Sequence, residues 1–125
     1  MKILLTGSPG VGKTTLTKKI ADELKLNSVH IKGFYTQEIR DERGNRKGFE
    51  VIDINDEENR KSLAIADAPP ALKGPKVGKY TVTVSDFESV ALKTLIDLDQ
   101  TQVLIIDEIG NFERKFYCRK LYESF

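Results

Sequence analysis

Ile3, Leu4 and Leu5 form one uninterrupted apolar run, and Val103, Leu104, Ile105 and Ile106 form another. A continuous run without alternation is the pattern of a strand covered on both faces in a parallel sheet. From Lys13 the apolar positions Leu16, Ile20 and Leu24 recur every four residues. Lys18, Lys19, Asp22, Glu23 and Lys25 fill the other face and Asn27 supplies a stop, so the spacing predicts an amphipathic helix. A second strand is expected within Val29 to Thr36. "GFYTQEIR", "DERGNRKG" and "FEVIDI" then read as two extended arms around a polar turn, an antiparallel insertion. Ser62 to Ala68 reads as a further short extended piece, and "PPALKGPKVGK" as a loop, because paired prolines and two glycines suit neither a helix nor a central strand. Tyr80, Val82 and Val84 alternate with threonines. Ser85 and Glu88, three apart, then stand before Val90, Ala91, Leu95 and Leu98 as a capped helix. Asn111 would cap a last helix carrying Phe112, Phe116, Tyr117, Leu121 and Phe125. The expected class is α/β: a mostly parallel sheet flanked by helices, with an antiparallel hairpin insertion.

Composition narrows what such a fold could serve. With 125 residues, 39% hydrophobic, the chain suits one domain with a single core. Twenty basic residues against nineteen acidic ones give a formal net charge of +1 with no block of like charge, so no nucleic-acid footprint is indicated. No apolar stretch is long enough to span a bilayer, and the opening run is too short for a signal-peptide core. The expected location is cytoplasmic, with no membrane partner. The single cysteine, Cys118, has no intrachain partner and reads as an ordinary thiol.

The chemistry is concentrated between the first strand and the first helix. Gly7, Ser8, Pro9, Gly10, Val11, Gly12, Lys13 and Thr14 match GxxxxGK[ST] at every fixed position. Glycines let the backbone N–H groups converge on phosphate oxygens, and the positive end of the helix adds to the attraction. Lys13 brings a full charge to the outer phosphates, and the Thr14 hydroxyl is placed to ligate Mg²⁺. A chance match in a chain of this length is below about one in a hundred at average residue usage, and the strand–loop–helix context lowers it further.

A phosphate loop binds nucleotide but needs a carboxylate to hold the metal, usually at the end of a neighbouring buried strand. "VLIIDEIG" offers it. Asp107 would take Mg²⁺, through a water, and Glu108 would polarise a water for attack on the γ-phosphate. Alone, this acidic pair would be a solvated turn; the phosphate loop reverses that prior. Asp107 to Gly110 also fits DxxG, a switch pattern of GTPases, but no NKxD segment for reading guanine accompanies it.

With both motifs located, the chain resembles the small P-loop nucleoside-triphosphatase family first known from thermophiles, which includes the cancer-related nucleoside-triphosphatase. "KILLTGSPGVGKTTL", "GFYTQEIRDERGNRKGFEVI", "VGKYTVTVSDFESVAL" and "VLIIDEIG" look like successive segments of that family, in order, over most of residues 1 to 110. The two outer segments occur in many P-loop proteins, so the two inner ones carry the specific resemblance. It implies a P-loop NTPase fold and Mg²⁺-dependent hydrolysis of nucleoside triphosphates with little preference among bases. Gly7 to Thr14 would be the first nucleotide motif. Val103, Leu104, Ile105, Ile106, Asp107, Glu108, Ile109 and Gly110 would be the second, with only the Asp107 end reaching the ligand.

The expected domain is 1–125, short at its C-terminus against the family, as a monomer or a weak homo-oligomer through the aromatic tail. Lys13 and Glu108 are the expected catalytic residues, and Thr14 and Asp107 the metal holders. The competing readings are a nucleotide or small-molecule kinase on the same loop, and a nucleotide-binding switch without turnover. Arg40 in "TQEIR" and Lys79 in "VGKY" are candidates for assisting at the γ-phosphate, although surface roles suit both better. His30, the lone histidine, has no neighbouring His or Cys and is assigned no function.

Overall fold

The structure is a computed structural model that describes residues 11–107. Six strands form one sheet: β1 (Ile31–Arg40), β2 (Arg46–Asp53), β3 (Asp56–Ala66), β4 (Lys76–Val77), β5 (Tyr80–Val82) and β6 (Val103–Ile106). Helix α1 (Lys13–Leu26) precedes them; α2 (Val84–Ala91), continued by a 3-10 turn over Leu92–Leu95, lies between β5 and β6. The order across the sheet is β4-β5-β3-β2-β1-β6.

This corrects the expected polarity. Of the five pairings among the described residues, only β1–β6 is parallel. The reason lies in β1, whose first residues, Ile31 to Phe34, pair with β6. The strand then runs on to Arg40 and returns as β2 through a short turn, and short hairpin connections produce antiparallel neighbours. The hairpin read as an insertion is therefore continuous with the strand that pairs with β6, and β1 to β3 are the body of the sheet. The burial of β1 follows the same division. Ile31 and Gly33 to Thr36 are buried, whereas Gln37, Ile39 and Arg40 are exposed where the hairpin leaves the core.

Strand periodicity places consecutive residues on opposite faces. Phe34, Val51 and Leu63 pack with Phe87, Val90 and Ala91 of α2, and the Phe34 and Phe87 rings meet edge to face at 5.6 Å. Tyr35 and Ile52, one residue along, pack with Ile31, Ile54 and Ala21 of α1. The helices thus cover opposite faces.

Three local expectations are corrected. Helix α2 begins two residues earlier than the Ser85 cap allows: Thr83 occupies the cap position, and its hydroxyl donates to the Ser62 carbonyl oxygen, 2.8 Å away. The proline-rich loop contains the two-residue strand β4, paired with β5. On α1, Leu16 and Ile20 are 45% and 46% exposed, and Ala21 is the buried residue. Leu24 packs against the core as expected, and the rest of the stripe facing the sheet is Lys18, Ala21 and Lys25: the Lys18 ammonium stands 5.2 Å over the Tyr35 ring, and the Lys25 ammonium donates to the Ile54 carbonyl. Lysine stems cover apolar surface while their charges find oxygen or ring partners, a possibility that counting apolar residues alone overlooks. Asn27 does end α1, its amide side chain donating to the Glu23 carbonyl. The Ile3–Leu5 strand, the Asn111 helix and Cys118 lie outside the described residues.

Candidate nucleotide site

Helix α1 starts at Lys13, and Gly12 precedes it with φ +97, a left-handed conformation open chiefly to glycine. Among the described residues no side chain caps this helix end, and the positive end of a helix favours an anion. Val11, Gly12, Lys13 and Thr14 are described; Gly7, Ser8, Pro9 and Gly10 lie outside the described residues, as do Glu108, Ile109 and Gly110.

Strand β6 runs Val103–Leu104–Ile105–Ile106 beside β1 and delivers Asp107 to its end, where the Asp107 N–H donates to the Phe34 carbonyl at 3.1 Å. There the two halves of the sequence motif meet. The Thr14 hydroxyl donates to Asp107 Oδ2 at 2.9 Å across a separation of 93 residues. The N–H and hydroxyl of Thr36 donate to the same oxygen at 3.3 and 3.4 Å. Asp107 is 8% exposed. Burial raises its pKa above the usual carboxylate range; the hydrogen bonds from Thr14 and Thr36 and the charge of Lys13 oppose the rise without cancelling it.

A buried carboxylate paired with a hydroxyl beside a helix N-terminus is a sparse, all-oxygen donor set. Among the described residues no group of three or more His, Cys, Asp or Glu side chains could hold a metal. That sparseness fits Mg²⁺, which takes one or two protein oxygens and completes its shell with phosphate and water.

A family described as NTPase matches residues 2–122. The chain belongs to the NTPase family. It is 40% identical over 116 residues to the human cancer-related nucleoside-triphosphatase, covering 89% of this chain and 60% of the relative. It is 42% identical over 130 residues to the nucleoside-triphosphatase THEP1 of Thermotoga sp. (strain RQ2), covering 99% of this chain and 69% of that protein. The solution structure of the human cancer-related nucleoside triphosphatase superposes with a TM-score of 0.73 at 35% identity, over 94% of this chain and 66% of that one. The chain thus spans about three fifths of the length of the human relative.

Other candidates from this NTPase-family sequence are not brought to Asp107. The Arg40 guanidinium binds Glu38 Oε2 at 2.9 Å and the Gly44 carbonyl at 2.7 Å, within the hairpin turn. Lys79 lies over the Tyr80 ring at 5.7 Å. It adjoins β5, three strands from β1, which is roughly 14 Å at normal strand spacing. His30 closes the start of the β1–β6 ladder through its backbone, its carbonyl accepting from Gln102 at 2.9 Å and Val103 at 3.2 Å. Thr36 was not among the expected site residues. A threonine in a strand is unremarkable until β1 is known to lie beside β6. Among the described residues no helix is long and apolar enough to cross a membrane.

Proposed function

We propose that this chain carries the nucleotide-binding and hydrolytic centre of a nucleoside-triphosphatase, converting a nucleoside triphosphate and water to nucleoside diphosphate and phosphate. The observation that supports it best is the 2.9 Å hydrogen bond from Thr14 to Asp107, which joins the end of the phosphate-loop motif to the acidic strand end. The names of the relatives point the same way.

In this reading the loop from Gly7 to Thr14 wraps the triphosphate, with the start of α1 directing its N–H groups at phosphate oxygen. Lys13 stabilises the charge that gathers on the β–γ bridging oxygen as that bond breaks. Thr14 and Asp107 would hold Mg²⁺, which would supply charge neutralisation at the outer phosphates. Glu108 accepts a proton from the water whose oxygen bonds to the γ-phosphorus. ATP, GTP, CTP and UTP would all be substrates, as the resemblance to nucleoside-triphosphatases, whose name specifies no base, implies.

Steady-state phosphate release from the four triphosphates, with Mg²⁺ and with EDTA, tests this reading. Release from all four without an added acceptor, abolished by EDTA, is the expected result. Release only with an acceptor would establish a kinase, and stoichiometric binding without turnover a switch.

A further inference from the structure

We infer that Thr36 is a positioning residue for the nucleotide site, its hydroxyl fixing the Asp107 carboxylate in the orientation that holds a divalent cation. The inference rests on the proposed metal-holding role of Asp107.

The geometry follows from where β6 stops. Along the parallel ladder, Phe34 of β1 accepts from the Asp107 N–H, and Thr36 is the next residue of β1 whose N–H points toward β6. Among the described residues β6 pairs no further than Ile106, and that N–H is taken up by the carboxylate of Asp107 at 3.3 Å. Any residue at position 36 would supply this backbone bond. Threonine adds a second donor, its hydroxyl, 3.4 Å from the same Oδ2.

Three donors therefore converge on Oδ2, one from α1 and two from β1. Among the described residues no hydrogen bond reaches Oδ1. Bonds from two different elements on one oxygen restrain rotation of the carboxylate and aim the other oxygen, as the supporting partners of a metal ligand do. Thr36 is 5% exposed and Asp107 8%, so water cannot readily replace the hydroxyl. A buried hydroxyl with this one side-chain partner, at the junction of both motifs, has a use there beyond filling space.

The test compares Thr36→Val, Thr36→Ser and Asp107→Ala in the full chain, using Mn²⁺ as probe. Mn²⁺ binding in the presence of ADP is read by electron paramagnetic resonance, and ADP affinity is measured separately in EDTA. Thr36→Val should weaken Mn²⁺ binding roughly tenfold, the worth of one hydrogen bond to a charged acceptor. ADP affinity in EDTA should stay within about twofold, and Thr36→Ser should restore Mn²⁺ binding. Thr36→Ala removes the hydroxyl without adding bulk and should repeat the valine result if that variant folds poorly. Unchanged Mn²⁺ affinity in both hydroxyl-free variants overturns the inference. So does an equal loss of ADP affinity in EDTA, the mark of a merely structural role. If Asp107→Ala binds Mn²⁺ normally, or the unaltered chain binds none, the metal-holding reading fails too. Loss in Asp107→Ala with no change at Thr36 overturns this inference alone.

Discussion

Gly33 lies directly against the backbone carbonyl of Ile105: a Cβ on residue 33 would sit 1.7 Å from that oxygen. The pair is in register in the β1–β6 ladder, Gly33 has φ +129, and its own carbonyl accepts from the Ile54 N–H at 3.0 Å. At this residue β1 lies close against β6 on one side and is bonded to Ile54, just past the end of β2, on the other. Gly33→Ala should cost more than about 3 kcal/mol, because strand backbone would have to move. Gly44→Ala, where φ is +80 but nothing lies within 4 Å of the added atom, should cost about 1 kcal/mol. Urea unfolding of both variants measures the contrast.

Local pattern and long-range pairing were not equally legible. Lys13 as the start of α1, Asn27 as its end, and Val103 to Ile106 as a strand are set by residues within a few positions of each other, and the structure bears them out. The sheet's polarity depends on which strands become neighbours, and the 3.6 and 2.0 periodicities are silent on that. The pattern predicts a strand within Val29 to Thr36 and a hairpin arm over Gly33 to Arg40; the structure joins them in β1, which pairs with β6 over Ile31 to Phe34 and with β2 from Phe34 onward. The Thr14–Asp107 contact was foreseeable because the two motifs are expected to share one metal. Thr36 answers to no such demand and shows itself only once β1 and β6 are side by side.

Asp107 makes the site unstable by itself. Its folded-state pKa lies above the usual carboxylate range, chiefly through burial. As pH rises through the interval between the two values, the unfolded chain has released a proton that the folded chain still holds, so stability falls and stays lower above that interval. Asp107→Asn keeps an oxygen to accept from Thr14 and Thr36 but removes the buried charge. Without nucleotide and in EDTA, this variant should melt roughly 2–5 °C higher than the unaltered chain at pH 7. The difference should shrink as the pH falls toward the usual carboxylate range, because the raised pKa lets the folded chain take up the proton first. Melting curves across pH check the sign, and Mg²⁺-dependent phosphate release from the same variant should be lost.

Binding and turnover should separate between Lys13 and Glu108. Lys13 stands in the first turn of α1, and its charge already acts on Asp107. Removing it takes away a charged phosphate contact, so Lys13→Ala should weaken triphosphate binding at least about tenfold. Glu108→Gln retains shape but no base. Titration calorimetry should find its nucleotide affinity within about twofold of normal, while phosphate release drops by roughly 10²- to 10⁴-fold. Undiminished turnover in Glu108→Gln would remove that residue from the reaction.

Arg40 should prove dispensable for catalysis. It stands four residues beyond Thr36 along β1, roughly 13 Å at strand rise, and its guanidinium is held by Glu38 and the Gly44 carbonyl. Glu38 also binds Arg46 across the hairpin, so the arginines and the glutamate form a local network at the turn. To serve as a γ-phosphate donor, Arg40 would have to abandon both partners and cross that distance. An arginine acting on the transferred phosphate is worth 10³- to 10⁵-fold where one is used. Exposed ion pairs of this kind are worth at most about 1 kcal/mol. Arg40→Ala should therefore leave kcat within about twofold and lower the melting temperature only slightly. A fall in kcat of a hundredfold or more, with the fold intact by circular dichroism, would place Arg40 at the phosphates instead.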